Sequence, residues 1–190
     1  MFDPMDVTQA IQQRRSIKRF TDRPVTREQI EALIAAATLA PNHHLTQPWR
    51  FYVLGPGARH AYGLALGARK AKKLTDPDAA RAMRDTVAEE HRALPGMLAV
   101  ALVQAEQPET REENYAAVMM GIENLALAAV EAGLGTHIKT GGVMDDPAAR
   151  AAVGVRDEVR IVAIVNLGVP AETPPPKART HAAEYTTWVD

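Results

Sequence analysis

Helices at the start of the chain, followed by strands separated by helices at irregular intervals, predict a β-sheet covered by helices rather than an all-helical bundle. Two strand-like stretches carry that prediction. Met97 to Val103 is a continuous apolar run, as expected of a strand buried on both faces, and Val159 to Leu167 is a further strong strand. The doubly wound nucleotide fold is disfavoured, because no G-x-G-x-x-G follows a strand, no P-loop occurs, and the order helix, helix, strand is wrong for it.

A chain of 190 residues fits one domain, here taken as 1–190, or one protomer of an intertwined dimer. With 46% apolar and 24% charged residues the composition is that of a folded globular protein. The formal charge of −1 argues against the broadly cationic surface that nucleic acids attract, so no nucleic-acid partner is expected. Without cysteine there is no disulfide, thiolate metal site or cysteine nucleophile. Met1 to Gln13 lacks the pattern of a signal peptide, and no apolar run approaches the roughly 18 residues that span a bilayer. The expectation is a cytoplasmic protein with no membrane contact.

In order along the chain, Asp6 and Gln9 form a capping-box pattern ahead of a helix from about Val7 to Arg14. Thr26 and Gln29 repeat it ahead of a second, in which Ile30, Leu33, Ile34 and Ala37 share one face until Pro41. Arg50 to Leu54 reads as a strand ended by Gly55-Pro56-Gly57. A helix from Ala58 to about Ala68 follows, then a loop holding Lys70, Lys72 and Lys73. Asp76-Pro77 starts another helix, running to about Arg92 with Met83 and Val87 on one face. Glu112 to Ala132 is apolar most of the way round, so it belongs at the centre of the fold or in an oligomer interface. A short strand fits Gly135 to Lys139, and a helix capped by Asp146-Pro147 runs to Val153. Residues 168–179 hold Pro170 and Pro174 to Pro176 and must run extended, while Tyr185 to Val189 reads as one more strand.

Four stretches could carry chemistry. Arg14-Arg15-Ser16-Ile17-Lys18-Arg19 places four cations and a hydroxyl at a helix end, a donor set matched to phosphate oxygens. A solvated helix end has the same composition. His43 and Gln47, in the loop from Pro41 to Trp49, offer donor and acceptor groups suited to a heterocycle, or are solvated ends of a helix-terminating loop. Gly133 to Gly142 pairs a short strand with glycines that admit a ligand to backbone N–H groups, although a helix cap and a turn need them equally. Lys177 and Arg179 alternate on one side of an extended chain. The six histidines lack metal-ligand spacing, and no metal is expected.

Taken together, R-R-S-I-K-R-F, A-P-x-H-x-x-x-Q-P-W, the K-T-G segment and P-P-K-x-R resemble, in this order, the flavin-dependent nitroreductase family, specifically its short-chain members. The resemblance implies an α+β fold with a central mixed, mainly antiparallel sheet flanked by helices. It also implies a homodimer built on long central helices and exchanging C-terminal segments, so that residues from about 168 to 190 form an arm reaching the other subunit. The cofactor implied is FMN, with NAD(P)H as co-substrate. The reaction implied is ping-pong transfer of two electrons to a nitro compound, quinone or similar small-molecule acceptor. Within the fold, dehalogenation, enoate reduction and heterocycle dehydrogenation are alternatives. A non-enzymatic nucleic-acid-binding module is the rival from another class.

Carried over residue by residue, Arg14, Arg15 and Ser16 hold the FMN phosphate and ribityl chain, with Lys18 nearby and Lys177 and Arg179 closing on the same phosphate. His43 and Gln47 face the flavin bound mainly by the other subunit. Ile138, Lys139, Thr140 and Gly141 run along the isoalloxazine ring, where backbone donors and Lys139 stabilise negative charge. No catalytic side chain is assigned. Two departures stand out: Asn42 replaces a serine and Leu45 an asparagine common among relatives. The two basic stretches are expected to converge in a crevice at the seam of two copies.

Overall fold

A computed structural model of the chain describes residues 5–189. The first four residues, part of the stretch read for a signal peptide, and Asp190 at the end of the arm lie outside them. The elements run α1 (Val7–Gln13), α2 (Arg27–Thr38), β1 (Trp49–Val53), α3 (Pro56–Ala71), α4 (Pro77–Arg92), β2 (Gly96–Val103), α5 (Pro108–Glu131), β3 (Gly135–Lys139), α6 (Pro147–Val153) and β4 (Val159–Gly168). Both capping boxes form: the Asp6 and Thr26 side chains accept from the backbone N–H of Gln9 and Gln29, whose side chains reach back to the cap.

The sheet order is β1-β2-β4-β3, with every neighbouring pair antiparallel. The mixed sheet of the sequence reading is corrected to this extent. Within the described chain, parallel pairing amounts to one bridge between Ser16 and Thr136. That bridge, with the Ile17 N–H donating to the Thr136 carbonyl, lays the basic cluster along the outer edge of β3.

Because side chains alternate across a strand, the central strands β2 and β4 feed two cores. On one face Leu98, Val100, Val165 and Leu167 pack against Leu33 of α2 and Val118, Ile122 and Leu125 of α5. On the other, Met97, Ala99, Ile161 and Ile164 meet Tyr62 of α3, the short turn at Gly142–Asp145 and α6. The continuous apolar run of β2 is explained by burial on both sides. Helix α5 covers the sheet centre as expected, but Tyr115 and Met120 on its far side stay exposed.

Three local readings change. Lys70 lies within α3, which continues to Ala71, so only Lys72 and Lys73 belong to the connection. Met83 is exposed, whereas Val87, four residues on, is buried against the α3 side of α4. Tyr185 to Val189 is not a strand: Ala182–Tyr185 forms one 3-10 turn and the following residues join no ladder. A strand persists only by pairing its backbone, and within this chain the segment finds no partner.

Candidate functional site

Helix α1 ends as Arg14 leaves helical geometry, its N–H still donating to the Ala10 carbonyl at 2.9 Å. The next residues therefore turn outward along β3. After β4 the chain returns beside them, held by a bridge between Phe20 and Pro170, by the Ala171 N–H donating to the Arg19 carbonyl at 3.0 Å, and by an Arg19–Glu172 ion pair. The proline run then carries Lys177 and Arg179 back over α1. The result is an open cavity of about 630 Å³ lined by Arg14, Arg15, Ser16, Lys18, Lys177 and Arg179, with Glu123 and Glu172 as its carboxylates.

The two basic stretches thus converge within one chain. The seam between two copies, expected to bring them together, is not needed for that, because the Phe20–Pro170 bridge already folds one stretch onto the other.

The charges at this cavity are unevenly matched. Glu123 pairs with Arg14 at 3.2 Å and Glu172 with Arg19. Among the described residues, Arg15, Lys18, Lys177 and Arg179 have no ion-pair partner. Arg15 turns back to donate to the Arg14 carbonyl at 2.9 Å, yet its Nε is buried with no acceptor. An unpaired buried donor and three cations without carboxylate partners make a donor set that an anion would satisfy, and leaving such a donor unsatisfied costs about 1–3 kcal/mol.

His43 and Gln47 lie elsewhere, in the loop between α2 and β1, and do not line the cavity. Three consecutive hydrogen bonds fix that loop: the Gln47 N–H donates to Asn42 Oδ1 at 2.7 Å, Asn42 Nδ2 donates to Thr46 Oγ1, and Thr46 Oγ1 donates to the buried Asn114 on α5. His43 Nδ1 pairs with Glu113 Oε1 at 2.8 Å. Asn42, the departure from the serine, is therefore the residue on which the loop is wound. Glu113 and Asn114 had no signal in the sequence, being about seventy residues away from the groups they hold.

Ile138 to Gly141 continue from the Ser16–Thr136 bridge to the end of β3 and the turn after it. Ile138 packs into the α5-side core, so Lys139 projects to the opposite face, beneath α3 and α4. Gly141 has φ of 134°, a conformation side chains rarely adopt, which opens the turn. Arg69 lies against Gly142, its Nη2 2.8 Å from where a Cβ would stand. Burial and the neighbouring Lys70 pull the Lys139 ammonium below the usual lysine range, while Glu90 opposes them. Burial, Lys139 and Lys18 likewise lower His137.

The family model described as "Nitroreductase family" matches residues 11–169 of this chain. The chain belongs to the nitroreductase family. Among its relatives, YfhC of Bacillus subtilis (strain 168), which carries the provisional name NAD(P)H nitroreductase, is 34% identical over 90% of this chain and 87% of its own. The 5,6-dimethylbenzimidazole synthase of Rhodospirillum rubrum is 34% identical over 92% of this chain and 88% of its own. Among solved structures, a nitroreductase-like family protein from Bacillus cereus superposes with a TM-score of 0.85, at 28% identity, covering 100% and 99% of the two chains. A relative from Desulfovibrio desulfuricans, solved in complex with FMN, is 25% identical with a TM-score of 0.72, over 97% and 96%. The family's α+β architecture is thus present in this chain.

Proposed function

We propose that this nitroreductase-family protein is an FMN-dependent oxidoreductase that draws electrons from NAD(P)H and passes them, by a ping-pong route, to a nitro compound, quinone or similar acceptor. The observation that carries the reading is the cavity where Arg15, Lys18, Lys177 and Arg179 meet without acidic partners. A phosphate monoester fits that donor set, and the similarity to an FMN-bound relative favours FMN over other phosphates.

When bound, FMN supplies hydride acceptance from the nicotinamide and two-electron delivery to the acceptor. The protein contributes binding, orientation and charge. Arg14, Arg15, Ser16, Lys177 and Arg179 hold the phosphate end. Ile138, Lys139, Thr140 and Gly141, at the end of β3 and in the turn after it, would hold the ring through their backbone, with Lys139 supplying positive charge there. His43 and Gln47, which stand apart from the cavity on their own chain, would meet the ring from the other subunit of a homodimer, as the family resemblance implies.

The test is direct. Purified protein should be yellow, and the Arg14→Ala, Arg15→Ala double variant should purify as a colourless dimer. Anaerobic addition of NADH or NADPH should bleach the wild-type spectrum, and nitroaromatics or quinones should restore it. Wild-type protein that never takes up FMN defeats the reading.

The similarity to the Rhodospirillum synthase favours a second reading, in which the same site forms 5,6-dimethylbenzimidazole, whose dimethyl-substituted benzene ring bearing two nitrogens is also a part of flavin. Aerobic incubation with NAD(P)H and excess FMN, followed by mass spectrometry for 5,6-dimethylbenzimidazole, distinguishes the two.

A further inference from the structure

His91, at the end of α4, is buried and belongs to none of the motifs. Its Nδ1 lies 2.7 Å from the carbonyl oxygen of Val87, one turn back in the same helix. A carbonyl only accepts, so Nδ1 carries the proton. Its Nε2 lies 3.4 Å from Nζ of Lys139. An ammonium only donates, so Nε2 presents its lone pair. The Val87 contact places a proton on Nδ1 and the Lys139 contact leaves Nε2 without one, so together they fix the neutral Nδ1-protonated tautomer.

The surroundings hold that arrangement. The Tyr62 ring of α3 packs against the imidazole at 5.8 Å between centroids. Gly63 leaves α3 close enough to α4 that a Cβ there would stand 2.6 Å from Ala88 Cα and 3.1 Å from His91 Cβ. The charged groups facing the pair are Lys139 on β3, Lys70 at the end of α3 and Glu90 on α4. Burial first, then Lys139 and Lys70, hold the imidazole below its ordinary pKa, against the Val87 hydrogen bond and Glu90. No carboxylate pairs with Lys139 among the described residues, so its charge is positioned without being neutralised.

We propose that His91 is a positioning residue for Lys139: a neutral acceptor that fixes the ammonium at the end of β3, where it biases the electron affinity of the ring. This rests on the flavin reading above for its consequence, though not for the contact itself. A carboxylate in the place of His91 would hold the lysine equally well but cancel its charge. An apolar residue would leave a half-buried ammonium with no acceptor.

The experiment compares wild type, His91→Gln, which retains an acceptor, and His91→Leu, which does not, each with and without FMN. Histidine ring 15N shifts should show the Nδ1-protonated neutral tautomer for His91 at neutral pH. In His91→Leu the Lys139 titration, followed at its 13Cε, should move to lower pH. FMN affinity should fall about ten-fold and the flavin midpoint potential become more negative, with His91→Gln close to wild type. An Nε2-protonated or doubly protonated His91 overturns the proposal, as does a His91→Leu protein matching wild type in Lys139 titration and midpoint potential. Should His91→Leu fail to fold, Lys139→Met decides: His91 must then titrate at higher pH while keeping its Nδ1 proton, and no change overturns the pair. Wild-type protein that binds no FMN refutes the flavin reading, while the tautomer and the Lys139 titration still decide the contact.

Discussion

His44, Leu45 and Gln47 hold φ of 58°, 50° and 44°, three left-handed residues in one loop with no glycine among them. Such backbone costs on the order of 1 kcal/mol or more per residue for ordinary side chains and less for asparagine. The asparagine that many relatives carry where this chain has Leu45 therefore suits the backbone there. Leu45→Asn is expected to stabilise the protein by about 0.5–1 kcal/mol, since the leucine is exposed and loses no packing; urea denaturation at equilibrium measures it. His91 gives a pH prediction of definite sign. Its folded pKa lies below the ordinary 6.5, so as the solution is acidified through that value the unfolded chain gains a proton that the folded chain refuses. Stability should fall from pH 6.5 toward the folded value, and His91→Gln should flatten that slope, leaving the same-signed contribution of His137. A pH series of melting temperatures on both proteins tests the difference. The strained loop and the paired histidine both escape sequence reading, because their partners Asn114 and Lys139 are distant in the chain and no local spacing marks them.

At the scale of elements, α3 and α4 form a close pair made possible by Gly63 and Gly67. A Cβ at Gly67 would stand 2.7 Å from the Arg84 backbone, and one at Gly63 would meet Ala88. Gly63→Ala should cost about 1–3 kcal/mol through forced separation of the helices, despite the better helix propensity of alanine. Circular dichroism with guanidinium tests this; an unchanged midpoint would mean that the helices part freely. The starts of α1, α2, α4 and α6 were legible because caps are local: Asp6, Thr26, Asp76 and Asp146 all accept from N–H groups in the first turn, whereas α3 and α5, without a side-chain cap, begin at Pro56 and Pro108, ahead of the expected Ala58 and Glu112. Strand β2 was legible because burial on both faces leaves an uninterrupted apolar run, and β4 because only Arg160 and Asn166 interrupt its apolar residues. The 3-10 turn at Ala182–Tyr185 was not, since tyrosine, threonine, tryptophan and valine favour a strand that only a pairing partner realises.

For the whole molecule, the arm beyond Arg179 leaves Tyr185, Trp188 and Val189 at 77%, 89% and 88% exposure, and α5 leaves Met120 and Tyr115 exposed. In the homodimer proposed above, a second copy would cover these apolar side chains. Removing residues 181–190, which spares Lys177 and Arg179, should convert a dimer to monomer and weaken FMN retention; sedimentation velocity and the flavin absorbance read both outcomes. The amino-acid sequence by itself determined the helices, the buried strands, the lack of thiol chemistry and the donor types at the anion site, because caps, periodicity and functional groups are written within a few residues. Only the tertiary structure decided that Arg14 and Arg179 share one cavity on one chain, that Asn114 pins the histidine loop, and that Lys139 rests on His91. Those contacts join residues tens of positions apart, and it is the sheet register and the return of the chain after β4 that bring them together.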